Sequence, residues 1–159
     1  PVSLFPRTRS ILAASTSADA TFRVVSSLSE IARDDWDACA NPPGAPYNPF
    51  LSHDFLWSLE EAGCATRKTG WLGQHLVLDG ADGRPVAIMP CYLKSHSMGE
   101  YVFDHGWAEA LERAGGRYYP KLQSCVPFTP VTGPRLLSSG TDSGVTARQL
   151  LGAAGVTLG

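Results

Sequence analysis

The sequence predicts an α+β, α/β layered fold in which helices flank a mixed, largely antiparallel sheet. Three observations carry that expectation. Two runs of strand formers, Gln74 to Leu78 and Val86 to Lys94, bracket the turn sequence Asp79-Gly80-Ala81-Asp82-Gly83 and read as an antiparallel hairpin. Segments with helical spacing, begun by capping residues and stopped by glycine, stand before and after it. Composition is that of one globular domain, with 159 residues, 43% hydrophobic, and 13 Lys+Arg against 15 Asp+Glu for a net charge of −2. That balance, with Lys and Arg scattered along the chain, lacks the basic stripe of a nucleic-acid binder and excludes DNA as a partner. No apolar run approaches the roughly eighteen residues that a membrane helix needs, so a chain without a membrane span is expected.

Residues 1–20 place Arg7 and Arg9 before Ile11-Leu12-Ala13-Ala14, a run too short for an export signal, and read as a flexible leader to a domain over 21–159. Thr21 to Leu28 is expected as the first strand. Asp34, Asp35 and Asp37 then suit the positive end of a helix dipole, with Trp36 as the core anchor of that helix. Pro42, Pro43, Pro46 and Pro49 with Gly44 cannot continue a helix and form a rigid loop. Ser52 caps a second helix, in which Leu51 and Leu56 are spaced as a hydrophobic staple, Phe55, Leu56, Leu59 and Ala62 make the apolar face, and Gly63 is the stop. After the hairpin, whose second arm Pro90 interrupts as an edge or bulge, Trp107, Leu111 and Ala114 recur at helical spacing until Gly115-Gly116. Tyr118 to Val126 is extended. Pro127, Pro130, Gly133 and Pro134 then bend the chain toward Arg135-Leu136-Leu137 and a last helix over Thr146 to Ala154. That helix ends at the chain terminus with nothing after it to pack on, and an incomplete domain is expected.

Chemistry-bearing residues gather between Lys94 and Arg135. They are Lys94, His96, Glu100, Asp104-His105-Gly106-Trp107, Arg117-Tyr118-Tyr119-Pro120-Lys121 and Arg135. In the functional reading His105 or Asp104 accepts a proton, while Lys94, Trp107, Tyr118, Tyr119, Lys121 and Arg135 hold a polar substrate. The rival reading makes Asp104 a helix cap, His105 its neighbour and the tyrosines a half-buried wall. No serine stands in a Gly-x-Ser-x-Gly elbow, and glycine fingerprints for dinucleotides or nucleotide phosphates are missing. The spacing of His96, Asp104 and His105 suits no metal, and no metal is expected. Cys39, Cys64, Cys91 and Cys125 are too widely separated to start a zinc site, and reduced thiols in a cytoplasmic protein are expected.

The block from Tyr92 to Trp107, with Gly116 to Gln123, Pro127 to Leu136, Asn48 to Leu56 and Glu60-Glu61-Ala62-Gly63, resembles the FemAB-like, peptidoglycan biosynthesis/recognition group of the GNAT acyltransferase superfamily. The resemblance spans about Thr21 to Leu137 and implies a GNAT-like domain. Members of the group are roughly twice this length with two GNAT-like halves, so the chain is similar to the N-terminal half. The resemblance implies transfer of an acyl or aminoacyl group, from acyl-CoA or aminoacyl-tRNA as co-substrate, to a small-molecule or peptide amine, with no covalently bound cofactor. In GNAT enzymes a Gln/Arg-x-x-Gly-x-Gly/Ala loop holds the donor pyrophosphate on backbone N–H groups at a helix start. Gln149, Gly152 and Ala154 fit those letters and are the donor-binding candidates. Two alternatives stand beside the enzyme reading: a non-catalytic module that binds a peptide or cell-wall precursor, and an inactive truncated domain. Oligomeric state is not encoded in any of these signals.

Overall fold

A computed structural model describes residues 21–140 and 144–158, and the expected leader lies outside them. β1 (Thr21–Val25), β3 (His75–Asp79), β4 (Pro85–Met89) and β7 (Leu137–Ser138) form an antiparallel sheet in the order β1-β3-β4-β7. β2 (Trp71–Gly73), β5 (Tyr92–Lys94) and β6 (Lys121–Gln123) form a second antiparallel sheet in the order β2-β5-β6. The α+β expectation is met, with one sheet divided into two.

Pro90 explains the division. Having no N–H, it cannot extend the ladder, so β4 ends at Met89 and the chain re-enters pairing as β5 in the other sheet. The first arm breaks at the same level, where the Gln74 N–H donates to the Cys91 carbonyl at 2.9 Å and joins the two halves of the hairpin. The expected continuous arm from Val86 to Lys94 is therefore two strands, and Pro90 marks a change of sheet.

β1 is also shorter than the sequence suggests. Ser27 and Glu30 form a reciprocal capping box around a 3-10 turn at Leu28–Glu30, which ends the strand three residues early. α1 (Arg33–Ala40) carries Asp34 and Asp35 in its first turn, and its Trp36 is fully buried with the indole N–H donating to the Leu51 carbonyl at 2.8 Å. α2 (His53–Glu61) starts at Ser52, whose hydroxyl accepts the Phe55 N–H at 3.3 Å. Leu51 and Leu56 are both buried as the staple requires, and Gly63, at φ 72°, supplies the left-handed turn after the helix. Ala62, expected on the apolar face, is exposed.

All five residues of β3 are buried because the first sheet is covered on both faces. Val77 and Ile88 face Trp36, Leu51 and Leu56 of the α1/α2 layer, while Leu76, Leu78 and Ala87 face Ala147 and Leu151 of α4 (Gly144–Leu158). α4 lies against β3, β4 and β7. Glu60 ties α2 to the strands: its carboxylate accepts from the Ser27 hydroxyl at 2.7 Å and the Leu28 N–H at 3.0 Å, and lies 3.4 Å from His75 Nε2. α3 (His105–Arg113) buries only Ala108, and its Trp107 and Leu111 face solvent at 76% and 42% exposure.

Candidate functional site

The site grows from one register. β5 and β6 place Lys94 directly opposite Lys121, and β2 and β5 place Trp71 opposite Lys94. Two ammonium groups facing each other across a ladder repel unless anions separate them. The connection from β5 to α3 supplies those anions as Glu100 and Asp104. Gly99 allows the approach: at φ 80° it turns the loop, and a Cβ there would stand 2.7 Å from the Phe128 ring.

Glu100, with its side chain only 4% exposed, sits between the lysines, accepting from Lys121 Nζ at 3.0 Å through Oε2 and placing Oε1 3.7 Å from Lys94 Nζ. Lys121 also donates to Asp104 and, at 3.1 Å, to Ser97 Oγ. Asp104 accepts further from the Ser97 hydroxyl and, at 2.8 Å, from the Tyr118 phenol, while Ser97 bonds to the Tyr119 hydroxyl. Lys94 is fully buried, its Nζ 3.2 Å from the centroid of the Trp71 ring and donating to the Met98 carbonyl at 3.2 Å.

The electrostatics follow from these contacts. Burial pushes the Lys94 ammonium down to about 8 against the opposing pull of Glu100. Burial alone would raise the Asp104 carboxyl, yet the bonds from Lys121, Ser97 and Tyr118 outweigh it and hold the group well below the usual carboxylate range. Desolvation works against the Lys121 charge, and its bonds to Asp104 and Glu100 nevertheless raise it above its ordinary value. Tyr118 is raised because it donates to the Asp104 carboxylate.

Of the residues singled out in the sequence, Lys94, Asp104, Tyr118, Tyr119 and Lys121 thus converge. Asp104 occupies the cap position of α3, where its carbonyl accepts the Trp107 and Ala108 N–H groups, but its side chain makes no capping bond and turns to Lys121 instead. His105 stands outside this network, exposed, with its ring stacked on Phe103 at a centroid distance of 5.9 Å. Trp107 is exposed as well.

Beside the network opens a cleft of about 160 Å³ lined by Trp71, Glu100, Gln123, Cys125, Thr129 and Arg135 among others. Two of its lining residues each hold a buried oxygen without a hydrogen-bond donor, Glu100 Oε1, which lies 3.7 Å from Lys94 Nζ, and Gln123 Oε1. Arg135 donates to the carbonyls of Val131 at 2.6 Å, Pro134 at 3.1 Å and Gly133 at 3.2 Å, and burial lowers its affinity for its proton. Burial pushes the Cys125 thiol up to about 12, so it stays protonated. Sequence reasoning named Glu100 without a role and missed Ser97, Trp71 and Gln123. No local signal marks them: Trp71 and Gln123 are placed by strand register, and Ser97 by the path of the loop between β5 and α3.

Gln149, Gly152 and Ala154, the expected donor loop, lie inside α4, with Ala154 packed on the core. N–H groups beyond the first turn of a helix are taken by carbonyls four residues back, so this segment has no free backbone nest. Among the described residues, no group of three or more His, Cys, Asp or Glu side chains is arranged to hold a metal, and no helix is long and apolar enough to cross a membrane.

A family profile described as FemAB-like, peptidoglycan biosynthesis/recognition, matches residues 27–157. No curated protein and no solved structure matches the chain.

Proposed function

Since the chain belongs to the FemAB-like peptidoglycan biosynthesis/recognition family, we propose that it is the acceptor-binding part of an N-acyltransferase, which moves an acyl or aminoacyl group from a thioester or an aminoacyl-tRNA to an amine. The observation that carries this reading is the pair of buried, donorless acceptors, Glu100 Oε1 and Gln123 Oε1, on one cleft. A buried acceptor without a donor costs about 1–3 kcal/mol, and an ammonium is the ligand group richest in donors for such oxygens, carrying three.

For transfer, the ammonium gives one proton to Glu100, the carboxylate on the cleft wall, and the freed lone pair attacks the acyl carbon. A new C–N bond forms as the bond from that carbon to sulfur or ribose oxygen breaks, and the leaving group takes up a proton. Asp104, held ionised by three donors, is a poor proton acceptor and instead fixes Lys121 and Tyr118. Lys121 and Lys94 flank the Glu100 carboxylate at 3.0 Å and 3.7 Å. His105 has no place in this scheme.

The placement of Gln149, Gly152 and Ala154 within α4 favours a second reading, a module that binds a peptide or cell-wall precursor without turning it over. Incubating the full chain with a lysine-containing peptide and either acyl-CoA or aminoacyl-tRNA separates the two. A new amide detected by mass spectrometry, reduced at least a hundredfold by Glu100→Gln, supports the transferase. Saturable peptide binding without product supports the module, and neither product nor binding counts against both.

A further inference from the structure

The cleft has a second polarity that amine binding leaves unused. Arg135 lines the same space as Glu100 and Gln123, and among the described residues no carboxylate pairs with it. Its bonds to the three carbonyls are made through Nη1 and Nη2, and its Nε–H donates to none of them. Nε and Nη2 form one edge of the planar guanidinium, the fork that grips a carboxylate. Glu100 differs, because its charge is already balanced by two lysines while one of its oxygens still lacks a donor. The cleft therefore offers one end that seeks N–H groups and one end that seeks an anion.

We infer that the cleft takes a compact zwitterion, an amino acid or amino-acid end whose amine meets Glu100 and Gln123 while its carboxylate meets Arg135. This deepens the acceptor assignment and rests on the reading of the cleft as the amine site. Size agrees. A volume of about 160 Å³ holds roughly five waters at about 30 Å³ each, room for an amino-acid backbone with a short side chain. Any larger remainder would leave past Tyr101 and Val102, which line the cleft and are 63% and 77% exposed. Ligands with one sign of charge fit worse: a phosphate would face the Glu100 carboxylate, and a diamine would face Arg135 with its second cation.

The test uses the full chain and the Trp71 indole N–H as an NMR reporter, since that ring lines the cleft and its N–H donates to the Met98 carbonyl at 3.2 Å. D-alanine, L-alanine and β-alanine are titrated beside ethylamine, which has the amine alone, and propionate, which has the carboxylate alone, at matched ionic strength. At least one zwitterion should saturate the shift with a dissociation constant tenfold or more below those of both single-charge ligands. Arg135→Gln should remove that advantage and leave ethylamine unchanged, while Arg135→Lys should restore part of it. Arg135 also ties down its own loop, so if these variants fail to fold, the ligand series on the unsubstituted chain decides alone. The inference is overturned if ethylamine binds as tightly as every zwitterion, or if no zwitterion moves the indole signal. Acylation of ethylamine without a zwitterion preference would sink this inference and leave acyl transfer standing. A zwitterion preference without acylation of any amine would uphold it and remove the transferase reading.

Discussion

Asp104 accepts three of the site's hydrogen bonds, from Lys121, Ser97 and Tyr118. Replacing it with Asn removes the charge that Lys121, Ser97 and Tyr118 all address, leaving Lys121 with Glu100 as its one charged partner beside the Ser97 hydroxyl. Bonds to a charged partner contribute about 1.5–3 kcal/mol, so Asp104→Asn should cost about 2 kcal/mol in urea unfolding at pH 7. Tyr118→Phe removes one of those bonds and should cost about 1 kcal/mol, whereas His105→Ala, outside the network, should stay within about 0.5 kcal/mol. Lys94 gives a pH signature of the same sign as a depressed carboxylate, but in an alkaline window. Its folded value is depressed to about 8, so between that pH and the unfolded value near 10.4 the unfolded chain holds more protons and stability rises with pH. The melting temperature of the unsubstituted chain minus that of Lys94→Met should therefore increase from pH 8 to pH 10.5, and a constant difference would refute the assignment.

Among elements, α1 and α3 each present a tryptophan at a helical spacing that looks alike in sequence, and the structure separates them. Trp36 is fully buried and bonds to Leu51, so Trp36→Ala should cost about 3–5 kcal/mol, while Trp107→Ala at 76% exposure should cost under about 0.5 kcal/mol. Denaturation midpoints of the two variants measure this directly. The contrast marks what was legible. Signals confined to a few residues were readable: the Ser52 cap, the Leu51/Leu56 staple, the turn at 79–83 and the break at Pro90. The capping box at Ser27 and Glu30 is equally local, but the apolar run into Leu28 reads as strand and masks it. Features set by long-range pairing were not readable. That Pro90 would send one arm into two sheets depends on where β6 and β7 add on, and the Lys94/Lys121 register that creates the site depends on the same choice. Lys94, Asp104, Tyr118, Tyr119 and Lys121 were found because polar and aromatic groups cluster in sequence, whereas Gln123 and Trp71 lie on strands whose facing only the fold decides.

At the scale of the whole molecule, two half-buried carboxylates, Glu60 and Asp104, tie distant parts of the chain together. Glu60 joins α2 to the turn after β1 and to β3, and Asp104 joins the loops flanking α3 to β6. Burial by itself would raise Glu60, but His75, the Ser27 hydroxyl and the Leu28 N–H reverse that and lower it, so both groups are depressed in the folded state. For a depressed carboxyl the stabilisation is complete above the unfolded value near pH 4 and is lost as pH falls through the folded value. Acid should thus weaken the connection of α2 to the strands and the site network together, in a loss that begins below about pH 5. Glu60→Gln and Asp104→Asn start less stable at pH 7, and each should show a flatter fall in melting temperature toward acid, since each lacks one of the protons taken up on unfolding. The carboxylates share no hydrogen-bond partner, so the double variant should flatten the profile by about the sum of the single effects. Circular dichroism melts from pH 7 to pH 3 test this, and variants whose profiles run parallel to that of the unsubstituted chain would locate the acid sensitivity in other groups.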